Sequence, residues 1–237
     1  MLCWLDRPLS AISRPSRQAA FRQHEIPYLN QEASLNRQIF LAVLIAALTG
    51  GCAAPINLRN AGAHAQAGYA ANAQGDWETA RQQFAQAVYN ADLGDAGSSV
   101  KGQVNYEYGR VLGIMCSWQE SEKYLLRSKQ FSEQGGRSAY LSLYELGLLN
   151  EKQGKSGQAA KYFAELLPLM EKENLRAKYP LGVADAYERY AAALVATGHA
   201  AEAEAKRGEA QTIRSANPNA MPFGSITPYG SACTKLP

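Results

Sequence analysis

Four cysteines and three histidines are the residues here best suited to metal or covalent chemistry, and their spacing decides what they can do. Cys3, Cys52, Cys116 and Cys233 form no C-x-x-C pair, which excludes a zinc knuckle and a dithiol redox motif on spacing grounds. His24, His64 and His199 are scattered, with no HExxH or other paired spacing, so no metal site is expected. The stretch from Gly94 to Gly102 is rich in glycine and serine and carries Lys101. It lacks the G-x-x-x-x-G-K-[ST] spacing, and no strand pattern precedes it, so it is not read as a phosphate cradle. Serines, acids and histidines are present, but a hydrolytic triad is defined by geometry and nothing in their order announces one. The expectation is a protein that is not an enzyme, with no cofactor and no small-molecule substrate.

Cys52 has a more specific setting. Residues 39–48 read IFLAVLIAAL, ten apolar side chains in a row, with Arg37 just ahead and Thr49, Gly50 and Gly51 between them and the cysteine. A basic start, an apolar stretch of roughly 7–15 residues and a small-residue site are the parts of a secretory signal peptide. A spanning helix needs about 20 apolar residues, and Gly50, Gly51 and Pro55 spoil the extension. The ending LTGGC resembles the lipobox of bacterial lipoproteins, with Leu48 four residues before the cysteine and Thr49 at three. That resemblance implies diacylglyceryl transfer to Cys52, cleavage just before it, and attachment to a membrane through palmitate-type acyl chains. Ala53, where an aspartate would signal inner-membrane retention, implies an outer-membrane location facing the periplasm. Residues 35–51 are then the signal peptide and 52–60, which include Pro55, a lipidated tether. Residues 1–34, with arginines, prolines and no sustained helical period, read as a mis-called start or a disordered extension. The competing reading is an uncleaved inner-membrane anchor with residues 1–38 in the cytoplasm.

Charge is nearly balanced once that segment is set aside. Before residue 52 there are five arginines and three acids; of the chain's 24 basic and 21 acidic residues this leaves 19 and 18. No basic footprint for nucleic acid remains. Apolar residues make up 46% of the sequence, enough for a sizeable core.

That core must be built from helices, because a pattern of small and apolar residues recurs four times. Gly68, Gly75, Ala80, Phe84 and Ala87 set the offsets. Gly109, Cys116, Ser121, Leu125 and Ser128 repeat them, then Gly147, Gly154, Ala159, Phe163 and Leu166, then Ala191, Gly198, Ala203, Arg207 and Ala210. Small residues recur where two helices would approach closely, and larger apolar ones follow at helical spacing, with Arg207 the exception. Gly75, Gly154 and Gly198 stand where a helix would end in a left-handed residue. Tyr187, Tyr190, Ala191, Leu194 and Val195 form one apolar helical stripe. Ser117 followed three residues later by Glu120 reads as a capping box. The pattern resembles the tetratricopeptide repeat (TPR), over roughly residues 61–217. The implied fold is all-α: a short right-handed superhelix of about four TPR-like helix–turn–helix repeats. The copies lie 41, 38 and 44 residues apart, from Gly75 to Cys116 to Gly154 to Gly198, against a usual period of about 34. Linkers at 92–102 and 174–183 are expected to absorb the difference, and Pro168 to kink or end a helix. Residues 218–237 read as an irregular tail that packs on the last repeat or is mobile.

The resemblance also implies where partners would bind, since TPR arrays use the concave face lined by the first helix of each repeat. On this sequence that face comprises Tyr69, Asn72, Tyr106, Arg110, Tyr144, Glu151, Asp185 and Glu188. The tyrosines offer rigid amphipathic area and Arg110 a carboxylate clamp; the alternative is tyrosines completing the core beneath a solvated charged face. In an oxidising compartment Cys116 and Cys233 could pair and staple the tail to the second repeat; otherwise Cys116 is a buried thiol at a helix turn. The expected role is a lipid-anchored scaffold binding a protein or peptide partner in the bacterial cell envelope, for assembly or regulation of a complex. An accessory subunit of an envelope enzyme is the other reading.

Overall fold

The computed structural model describes residues 53–221 and 226–233. The expected signal peptide, Cys3, His24 and the expected lipid site Cys52 lie outside them. Among the described residues there are nine helices and no strand: α1 Ala53–Ala73, α2 Trp77–Leu93, α3 Ser98–Ile114, α4 Trp118–Gln134, α5 Tyr140–Lys152, α6 Ser156–Lys172, α7 Leu175–Lys178, α8 Pro180–Ala196 and α9 Ala200–Ala216. They pair as four antiparallel hairpins, α1–α2, α3–α4, α5–α6 and α8–α9, and each hairpin stacks on the next. This is an all-helical TPR-like array. No described helix is long and apolar enough to cross a membrane.

The four-fold pattern in the sequence has a direct physical cause. At Gly68, Gly109 and Gly147 the first helix of a hairpin meets a large apolar side chain of the second. A Cβ placed there would stand 2.8 Å from the Phe84 ring, 2.9 Å from Leu125 and 2.7 Å from the Phe163 ring. Contacts that close would force the helices apart, so only glycine permits the approach. Ala80, Ser121, Ala159 and Ala203 are fully buried on the facing helices. In the second hairpin, serines replace alanines and are satisfied by carbonyls across the gap. Ser121 Oγ donates to Gly109 O at 2.7 Å and Ser128 Oγ to Gly102 O at 2.8 Å. Arg207, in the fourth hairpin, keeps its side chain half exposed and pairs with Glu204 at 3.6 Å.

The tight turns inside the hairpins share one geometry. Gly75, Gly154 and Gly198 take φ of +73°, +70° and +84°. In the second hairpin Cys116 occupies the same left-handed position at +66°, where a side chain is strained. The following amides close each turn on the carbonyl five residues back, as in Ser117 N–H to Leu112 O at 2.9 Å.

Several expectations are corrected. Residues 53–60, read as a tether, are helical, and Pro55 fits because first-turn amides need no helical acceptor. The 92–102 linker shrinks to residues 94–97. The 174–183 segment holds α7, a four-residue helix that lengthens this spacing, and then the start of α8 on Pro180. Helix α6 runs through Pro168 without ending. Ser117 precedes α4 at its cap position but makes no side-chain cap bond; the cap with a side-chain acceptor is Asp76, whose Oδ1 receives Thr79 N–H at 3.1 Å.

Candidate functional site: the first-helix face

Helices α1, α3, α5 and α8 are the first helices of the four hairpins, and they carry all eight residues expected on the concave face. The structure brings five of them into two polar networks and Glu188 into an ion pair of its own. The central one is organised by Glu145 on α5, which is 4% exposed. Its carboxylate accepts from Tyr106 OH at 3.1 Å, Thr227 Oγ at 2.8 Å and Tyr229 OH at 2.8 Å, and ion-pairs with Arg110 Nε at 3.2 Å. Arg110 also donates to Thr227 Oγ1 at 2.8 Å and pairs with Glu107 at 3.0 Å, with its guanidinium over the Tyr106 ring. The second network joins α5 to α8. Tyr144 OH donates to Asp185, and Arg189 bridges Asp185 and Glu151 at 2.8 Å each. Separately, Glu188 holds Arg214 at 2.7 Å.

Tyr69 stands apart. Its ring packs edge-on against Phe84 at 5.3 Å, and its hydroxyl accepts from Gln103 at 2.8 Å. Asn72, one turn on, is half-buried at the end of α1. Tyr144 likewise packs edge-on to Phe163, so these two tyrosines both complete the core and present a hydroxyl on the face.

Burial shapes the protonation of the central cluster. Burial, reinforced by the Glu145 carboxylate, pushes the Tyr229 and Tyr106 phenols well above their usual value. Burial opposes the charge on Arg110, but Glu145, Tyr106 and Glu107 outweigh it and hold the guanidinium firmly protonated. Glu107 is raised by burial against the pull of Arg110. These are the marks of a tightly satisfied polar knot.

The knot contains residues that sequence reasoning missed, Glu145, Glu107, Thr227 and Tyr229, and the second network contains Arg189, missed likewise. Glu145 had a signal, as the lone acid in the buried stretch LSLYELGLLN. Thr227 and Tyr229 had none, because their role depends on where the tail packs. That packing is another correction. Residues 226–233 lie on the second and third hairpins rather than the last. Gly230 N–H donates to Gly113 O and Ala232 N–H to Ile114 O, both at 3.1 Å, and a disulfide joins Cys233 to Cys116 with Cα atoms 5.1 Å apart. Gly113 leaves the space that the Tyr229 ring fills.

No family model and no curated protein matches the chain. Among solved structures, it is similar to a Podosopora anserina protein described as a putative kinesin light chain with nearly identical TPR-like repeats. The TM-score is 0.55 at 18% identity, over 68% of this chain and 77% of that one. A point-substituted form of that protein gives 0.56 at 18% identity, over 81% and 94%. MamA protein is also similar, at 0.42 and 14% identity over 71% and 98%. The two putative kinesin light chain structures share this fold: the chain is a TPR-like helical repeat protein.

Proposed function

We propose that the protein is a scaffold that binds a protein or peptide partner on its first-helix face, anchored through lipid on Cys52 at the bacterial cell envelope. One observation carries the binding half: this face already holds an irregular segment, residues 226–233, by side-chain and backbone hydrogen bonds together. A surface that does this for its own chain has the shape and donor–acceptor pattern to do it for another. The face offers no organised nucleophile with an adjacent base, and its perturbed groups are explained by burial in satisfied pairs. The anchor half is supported by the LTGGC sequence after the 39–48 apolar run.

Two measurements test the reading. Intact mass of the tagged full-length product in a bacterium should start at Cys52 plus acyl chains. It should shift to the unprocessed chain when lipoprotein signal peptidase is inhibited; a chain retaining residues 1–51 without inhibitor removes the anchor. Co-purification of partners should fall with Glu151→Lys combined with Glu188→Lys and persist with Leu126→Glu, at an exposed position on a second helix. The opposite pattern would refute the scaffold face.

A further inference from the structure

Residues 226–233 are attached to the repeats in an unusual way. The segment is irregular, yet Thr227 and Tyr229 are 4% and 5% exposed, while Ile226 and Pro228 face outward. Its hold is polar. Two hydroxyls, with one residue between them, donate to the two oxygens of Glu145, and two amides donate to carbonyls at the end of α3. Carbonyls of a last helical turn lack helical donors and accept from water when nothing else is there. Glu145 would keep Arg110 at 3.2 Å and Tyr106 at 3.1 Å if the segment left. The carboxylate therefore keeps partners without its cover, and the slot over Gly113 that the Tyr229 ring fills would be open to the ring of another segment. Beside the segment the groove continues as an open space of about 420 Å³ lined by Glu151, Lys152 and Arg189.

The covalent tie has its own logic. Cys116 occupies the left-handed turn position that glycine fills in the other three hairpins. Cys233 is exposed on the far side of the bond, open to an attacking thiolate.

We propose that the α3–α5 part of the face is the partner site, that it takes a short turned segment of the form hydroxyl–x–tyrosine, and that residues 226–233 are a resident copy of that ligand latched by the Cys116–Cys233 disulfide. The inference rests on the scaffold reading above and assigns it a location, a ligand chemistry and a control. A dithiol reductant opens the latch. Its thiolate attacks Cys233 Sγ, the bond to Cys116 breaks, and Cys116 leaves as a thiolate and takes a proton. The second thiol of the reductant then displaces Cys233 from the mixed disulfide. The chain gains two electrons and two protons, and the reductant leaves as a disulfide.

The test uses the full chain and a fluorescent peptide of residues 226–232, ITPYGSA, read by polarisation. The oxidised protein should not bind it. The Cys233→Ser/Tyr229→Ala double variant, whose own segment is weakened, should bind it saturably. The reduced wild type should fall between, because its tethered segment competes at high effective concentration. Removing either peptide hydroxyl, Thr to Val or Tyr to Phe, should weaken binding about 10- to 100-fold, the loss of a hydrogen bond to a charged group. Absence of binding to the double variant, with helical circular dichroism unchanged, would overturn the proposal. A second reading needs no variant: reduction should speed amide exchange at Gly230 and Ala232 by about tenfold or more, and unchanged protection would equally overturn the latch. If these fail while Glu151→Lys/Glu188→Lys still loses the partner, this inference falls and the scaffold reading stands. If partner recovery ignores those substitutions too, both fall.

Discussion

Replacing Glu145 by alanine should be among the most damaging single changes on the face. The carboxylate is buried and receives three hydroxyls and one guanidinium. Its loss leaves Arg110, whose side chain is 20% exposed, with Glu107 as its remaining anionic partner, and that carboxyl is itself disfavoured as a charge. Breaking a buried pair by removing one partner costs about 3–5 kcal/mol, and the lost hydroxyl contacts lie within that figure because they share the same acceptor. Against a total stability of about 5–15 kcal/mol for a domain, the loss should be plain. Glu145→Gln keeps the shape and one acceptor oxygen, and hydroxyls can turn to accept from the new amide, so about 1–2 kcal/mol is expected. Urea unfolding of the oxidised protein by circular dichroism measures both, with the slope checked because repeat arrays can lose cooperativity. The combination with Tyr229→Phe tests the cause: the pair should couple by about 0.5–3 kcal/mol. A Glu145→Ala loss below about 1 kcal/mol, or strict additivity with Tyr229→Phe, would show that the knot is solvated and contributes nothing to holding residues 226–233.

Other consequences are as direct. Gly147→Val should destabilise by about 2–3 kcal/mol through collision with Phe163, and Phe163→Leu should recover part of this in the same urea assay. Under reducing conditions Cys116→Gly should stabilise by about 1 kcal/mol, because glycine takes the +66° φ without strain; Cys116→Ala, which keeps a Cβ, should not. Tyr106, Tyr144 and Tyr229 all have folded pKa values above the usual one, chiefly through burial. Their contribution is therefore full below about pH 10 and is lost as pH rises through the higher folded values. An alkaline titration should show these phenols ionising late and together with loss of structure; ionisation at the free-tyrosine value with structure intact would contradict their burial.

The sequence and the structure diverge at instructive places. The hairpin interiors were legible because close approach needs glycine and a left-handed turn admits few residues, so Gly68, Gly109, Gly147, Gly75, Gly154 and Gly198 carry their geometry in their type. Cys116 was placed by the same offset, though its φ could not be read from a cysteine. Boundaries were less legible. Residues 53–60 and 92–102 have turn-like composition, but packing against neighbouring helices overrides weak propensities. The face itself was half visible: the TPR resemblance puts Tyr106 and Arg110 on it, but does not say what they touch. Glu145 becomes the centre because a segment more than 80 residues away delivers two hydroxyls to it, and no local pattern encodes that meeting.

The central claim, that partners are bound on the first-helix face, is tested most directly by site-specific photo-cross-linking in cells. A cross-linking residue at Asn72, Glu151 or Glu188 should give a discrete adduct with one partner protein, and one at Leu126 on α4 or Lys161 on α6 should not. Adducts confined to the second-helix positions, or none from the three face positions, would contradict the account.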